Sequence, residues 1–204
     1  MAAPDNKPTS VDSSRAASRC AQVLDAAAEC FRLKGFHGAS MADISRTAGM
    51  SAGHIYNYFD SKDAIIGGIV KRELREIMAN IESLEAAPDT FHAMIEHADE
   101  GMNRSLDTRS SALKLEVLVE STRNAELATL VHEADRAALA RLCELIRKGR
   151  GDRPALPEDE LFARAELLIA TFDGLRIRAL RNPQLNQDAI LQVLRQQLDR
   201  LLND

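Results

Sequence analysis

The chain has no tryptophan, and only 4% of its 204 residues are aromatic. Both tyrosines fall in one short stretch, AGMSAGHIYNYFDSK, from Ala48 to Lys62. A buried core does not ask for two phenols with an asparagine between them; a surface that grips something polar does. Long apolar runs are missing, and 28% of the residues are charged, so no segment suits a bilayer span and the chain reads as soluble. The opening MAAPDNKPTSVDSS has no apolar signal stretch. Residues 1–13 therefore read as a disordered arm, and the cytoplasm is the expected location. Cysteine is scarce: Cys20, Cys30 and Cys143 are odd in number and lack CxxC spacing. They make neither a disulfide framework nor a zinc site, and read as buried or idle thiols, with redox sensing the alternative. No hydrolytic signature such as HExxH occurs, and nothing calls for a cofactor or a catalysed reaction.

Period-two alternation and β-branched runs are nearly absent, so the chain reads as all-α, with about nine helices. From Ser14 to Lys34, Cys20, Leu24, Ala27 and Phe31 share a face, and Gly35 is the expected C-cap. Ser40 caps a helix over Met41 to Ala48, and Ser51 caps another over Ala52 to Tyr58. Asp60 or Ser61 caps a fourth, spanning about 61–86, with Gly67-Gly68 inside its apolar stripe as either a close packing point or a hinge. Five longer helices are expected beyond it: Asp89 to Leu106, Ser110 to Arg123, Ala125 to Lys148, Glu158 to Arg181 and Gln187 to Leu202.

The net charge of −5 disfavours nucleic acid as a partner until its distribution is considered. Residues 1–76 hold 10 Lys/Arg against 9 Asp/Glu, whereas 77–204 hold 16 against 22. Any affinity for a polyanion therefore rests on local placement in the N-terminal third. Two short helices joined by the Gly49-Met50-Ser51 turn form a helix-turn-helix, whose second helix can enter a major groove. Ser40 and Ser51 sit where free backbone N–H groups favour a phosphate. Tyr56 and Tyr58 can donate phenolic O–H groups, and Lys62 supplies a point charge. Gly53 lets a backbone approach closely, and His54 and Asn57 can read base edges. Ile44, Ala48, Ile55 and Phe59 are the apolar anchors. The competing reading is a surface helical hairpin whose aromatics pack on neighbours.

The residues Gly35-Phe36, Ser40-Met41, Asp43-Ile44, Ala48-Gly49-Met50-Ser51, Gly53, Ile55-Tyr56, Tyr58-Phe59 and Ser61-Lys62 resemble the DNA-binding domain of the tetracycline-repressor (TetR) family. The resemblance implies a helix-turn-helix domain over 14–62, with the fourth helix as connector. It also implies a ligand-binding and dimerisation domain over 63–204. Phosphate contacts would fall at Ser40, Ser51, Tyr56, Tyr58 and Lys62, and base contacts at Ala52, Gly53, His54 and Asn57. Ala52 is too short for a bidentate base contact. Met50 and Ala39 depart from the usual family residues without threatening the fold. The implied partners are a double-stranded operator, a second copy of the chain and a small-molecule effector, with no membrane. The expected function is a homodimeric repressor released by its inducer; the alternatives are an activator of the same fold and a helical metal-binding protein or enzyme using His92 and Glu96.

In the C-terminal domain the candidate pocket residues are Met94, His97, Met102, Glu116, Glu120 and Phe172. The candidate dimer stripe is Leu168, Phe172, Leu175, Leu191, Leu194 and Leu198. Glu116 and Glu120 share a helical face and suit a cationic ligand, or water and nearby cations. His92 and Glu96, with His97 beside them, have spacing that could hold a metal, against the reading of a solvated helix face. No metal site is expected.

Overall fold

The computed structural model describes residues 10–204, which form ten helices and no strand. The arm expected over residues 1–13 lies outside this range up to residue 9. Helix α1, Ser10–Gly38, starts upstream of the expected Ser14. Gly35 interrupts it with φ 70° and ψ 166°, a conformation that breaks the hydrogen-bond ladder, so the expected stop is a sharp kink followed by one further turn. Helix α2, Met41–Ala48, begins with a capping box: the Ser40 hydroxyl accepts from Asp43 N at 3.1 Å, and Asp43 Oδ2 accepts from Ser40 N at 3.1 Å. It ends at Gly49, in the left-handed region at φ 63°.

Helix α3 covers only Ala52–Tyr56, shorter than expected. Tyr58 N and Phe59 N both turn back onto Ile55 O, at 2.9 and 3.0 Å, and close it. Helix α4 spans Lys62–Glu85. Ser61, not Asp60, accepts from Ala64 N, at 3.0 Å.

The described residues up to Ile69 pack as one unit and Val70–Asp204 as another, so the division falls inside α4 rather than at residue 62. The reason is burial: Ile65 and Ile66, on the first turns of α4, are fully buried. Gly68 is packed closely as well. A Cβ there would lie 2.9 Å from Leu24 Cδ2 and 3.0 Å from Phe59 Cε1, which favours the packing account at Gly68.

The second unit holds α5 (Thr90–Glu96), α6 (Ala98–Leu106), α7 (Thr108–Ser121), α8 (Ala125–Gly149), α9 (Glu158–Arg181) and α10 (Gln187–Asn203). Ten helices replace about nine because the expected Asp89-to-Leu106 helix breaks at His97 (φ −87°, ψ 15°). Arg195 on α10 donates to Ile95 O at 3.3 Å and to Glu96 O at 2.8 Å, satisfying carbonyls that end α5. No local sequence signal announces that cap, since its donor lies about a hundred residues away.

Phe91, Met102, Cys143, Ile146, Leu161, Ala165, Leu168, Leu194, Leu198 and Leu202 form one buried cluster in this unit. Three expected dimer residues, Leu168, Leu194 and Leu198, are therefore spent on the chain's own core, at 3–4% exposure. Phe172, Leu175 and Leu191 are half-buried against the same cluster. Helical periodicity reports that a stripe is buried but not by which chain.

Candidate nucleic-acid interface

The helix-turn-helix is held from inside by Ile44 and Ile55, both fully buried, and by Ala48. Gln22 on α1 donates to Ala48 O at 2.7 Å, and the Ser45 hydroxyl donates to Met50 O, which fixes the turn between α2 and α3. Met50 is itself buried, so its bulk is absorbed by the core. Ser51 caps α3, its hydroxyl accepting from His54 N at 3.2 Å.

With Ile55 inside, Ser51, Gly53, His54, Tyr56 and Asn57 are left exposed on the outside, and Ala52 and Tyr58 half-exposed. Tyr56 keeps 48% of its surface in solvent, a large value for an aromatic with no outside partner. A Cβ built on Gly53 would meet nothing within 4 Å. Its missing side chain has no intramolecular explanation, although glycine in a helix is costly. His54 and Tyr58 meet edge to face, with centroids 5.4 Å apart and planes at 77°.

Lys62 is placed differently from a free surface cation. Its ammonium donates to Phe36 O at 2.6 Å and Ala39 O at 3.0 Å, and lies 4.3 Å from the Phe36 ring centroid. It ties the start of α4 to the segment between the Gly35 kink and Ser40. Asp43, in the first turn of α2, pairs with Lys34 at 2.7 Å and Arg46 at 3.3 Å. The Lys34 ammonium first, then the Ser40 hydroxyl and N–H, hold the Asp43 carboxyl far below the usual carboxylate range. Arg46, 75% exposed, is an outward cation beside the expected contact residues that sequence reasoning did not single out. Its i,i+3 relation to Asp43 was the available signal.

Three of the other expected residues, Met94, Met102 and Phe172, share one core cluster. Met102 is buried and Met94 half-buried in the core of the second unit. Glu120 is buried and Glu116 half-buried on α7. The Phe172 ring covers Gly101, where a Cβ would sit 2.9 Å away. His97 does not join them in a pocket: it is exposed, 2.9 Å from Glu100, because the helix break turns it to solvent. His92 and Glu96 form a separate exposed pair at 3.8 Å, and among the described residues no three metal-ligating side chains converge. Cys30 lies 3.4 Å from the Thr47 hydroxyl; Cys143 is buried, which pushes its thiol pKa up. An open groove of about 420 Å³ runs between α9 and α10, lined by Thr171, Leu175, Ile190, Val193, Leu194 and Gln197. Among the described residues no helix is long and apolar enough to cross a membrane.

A capped two-helix unit with a polar, side-chain-poor outer face on its second helix, joined to a larger helical unit, defines a helix-turn-helix transcriptional regulator. Residues 23–69 match the model of bacterial regulatory proteins of the tetR family, and residues 99–203 match that of the C-terminal domain of BetI-type transcriptional repressors. The chain belongs to the tetR family of bacterial regulatory proteins. It is 26% identical over 165 residues to the HTH-type transcriptional regulator YfiR of Bacillus subtilis, covering 79% of this chain and 80% of that one. Among solved structures it is similar to Salmonella enterica GusR, with a TM-score of 0.73 at 24% identity, covering 92% and 96% of the two chains. It is also similar to FadR of Bacillus subtilis in complex with stearoyl-CoA, with a TM-score of 0.72 at 18% identity, covering 90% and 97%. Both structural likenesses are likenesses of fold.

Proposed function

We propose that the protein is a homodimeric, cytoplasmic repressor that leaves a pseudo-palindromic operator when a small molecule binds its C-terminal unit. The carrying observation is Gly53, a helical glycine with open space around it. The open position suits the close approach of a DNA backbone. Ser40, Ser51 and Tyr56 then meet phosphates, while Ala52, His54 and Asn57 face the base edges. Tyr58 and Lys62, both half-buried, stand behind this surface and support it.

Dimerisation is supported by the outer face of α9. Ala163, Leu167, Ala170 and Ile177 are exposed at alternating spacings of four and three, with Gly174 in the same row. A Cβ on Gly174 would also meet nothing within 4 Å. A helix apolar on both faces needs cover on both. The inner stripe has the protomer's own core, and a second copy would cover the outer one. Two recognition helices related by a two-fold axis then address half-sites about one DNA turn apart. An effector that binds one dimer conformation more tightly shifts the population away from the spacing that fits the operator. No reaction is part of this cycle.

The test is a mobility shift with the intergenic DNA upstream of the gene, in excess random competitor. A selective complex with two chains per site is expected. Failure of every flanking intergenic fragment to give one would refute the reading.

A further inference from the structure

We infer that Tyr58 acts through its ring, as the positioning residue that presents His54 to a base edge, and that this pair sets base preference at one position in each half-site. The inference rests on α3 being the helix that enters the groove.

The five residues of α3 leave few readers. Ile55 is fully buried, Gly53 has no side chain and Ala52 ends in a methyl group. Asn57 lies past the last helical residue, at the C-cap. Of the side chains inside the helix, only His54 and Tyr56 can hydrogen-bond. The imidazole of His54 presents one donor and one acceptor in its neutral form, enough to distinguish base edges. An exposed imidazole on a short helix rotates freely, and fixing it at the moment of binding costs entropy. Here Tyr58 supplies the missing constraint. Its backbone N–H donates to Ile55 O at 2.9 Å, so the closing turn of α3 anchors it, and its half-buried ring meets the imidazole at 5.4 Å and 77°. This edge-to-face arrangement is an attractive aromatic geometry. The ring needs no phenolic oxygen to do this, so a phosphate contact through the hydroxyl and orientation of His54 through the ring are separable.

The experiment selects duplexes from a randomised double-stranded pool with the full-length wild-type protein, His54→Ala, Tyr58→Phe, Tyr58→Leu and Tyr58→Met, and sequences the bound fraction. His54→Ala should flatten base preference at one position per half-site by about tenfold, the effect of losing one base-edge contact. Tyr58→Leu should flatten the same position to a similar degree and leave the others intact. Tyr58→Phe should keep the wild-type preference there, with any affinity loss spread evenly over all sequences. Tyr58→Met, which keeps bulk without a ring, should match Tyr58→Leu, and thermal melting checks that each variant folds. Wild-type preference retained by Tyr58→Leu or Tyr58→Met overturns the inference, as does its loss in Tyr58→Phe. Selection of no motif at all by the wild-type protein would instead remove the DNA-reading role of α3 itself.

Discussion

Replacing Gly53 with alanine should make the protein more stable and a poorer DNA binder. The two effects have separate causes, each visible in the structure. Gly53 is the second residue of α3, and a Cβ placed on it meets nothing within 4 Å. The methyl group therefore clashes with no part of the chain. Its main thermodynamic effect falls on the unfolded state, which loses backbone freedom; such exchanges stabilise by about 0.4–1 kcal/mol. For a chain of this length 1 kcal/mol moves the melting temperature by roughly 2–4 °C, so a rise of about 1–4 °C is expected. On the operator the same methyl group occupies space that a sugar-phosphate or base edge needs. Displacing one well-formed contact costs about 1–3 kcal/mol, a loss of roughly 5- to 150-fold in affinity. Thermal melting by circular dichroism and fluorescence anisotropy on the operator duplex measure the two sides. Gly49→Ala is the control. Its left-handed φ of 63° makes alanine strained there, and its melting temperature should fall. A Gly53→Ala protein that is more stable and binds as tightly as its parent would show that nothing approaches this position closely. The site would then have to be redrawn.

Three further outcomes follow from the same structure. Gly174→Leu should leave the protomer folded, since leucine is the better helix former by up to about 1 kcal/mol, yet split the dimer by blocking the outer seam of α9; sedimentation that still finds a full dimer would place the interface elsewhere. Lys62→Met removes the donor shared by Phe36 O and Ala39 O and should cost about 1–2 kcal/mol of stability. The salt dependence of its DNA binding should change by less than one phosphate's share, and a slope lower by about 0.9 would instead make Lys62 a phosphate contact. The depressed pKa of Asp43 means the folded state binds its proton less readily than the unfolded chain. Its stabilisation is therefore complete above the ordinary aspartate range and fades as pH falls through and below about 4. Asp43→Asn should melt lower than the wild type at neutral pH and lose less on acidification, and parallel melting-versus-pH curves for the two proteins would refute this.

Local chemistry made much of the N-terminal unit legible. The Ser40 and Ser51 caps, the break at Gly35, the stop at Gly49 and the helix over Met41–Ala48 each depend on residues within a few positions of one another. Side-chain caps and left-handed glycines act over one turn, so their signals are written next to their effects. The length of α3 was overread by two residues, Asn57 and Tyr58, because the backbone N–H groups of Tyr58 and Phe59 both close onto Ile55 O. Lys62 was legible as a cation at a helix start. That its ammonium reaches Phe36 O and Ala39 O was not, because those acceptors lie 26 and 23 residues upstream.

In the C-terminal unit periodicity settled that α9 and α10 carry apolar stripes, and composition settled that the unit is helical. Both follow from the 3.6-residue repeat, which any single segment displays by itself. Which stripe meets the protomer's own core was decided only by tertiary packing. Leu168, Leu194 and Leu198 turn inward, and Ala163, Leu167, Ala170 and Ile177 are left outside. The break at His97 is likewise capped from a distance, by Arg195 donating to the carbonyls of Ile95 and Glu96. A sequence states how far each residue is from its neighbours along the chain. Burial and hydrogen bonding between distant segments depend on how whole helices are set against one another, and only the folded chain fixes that.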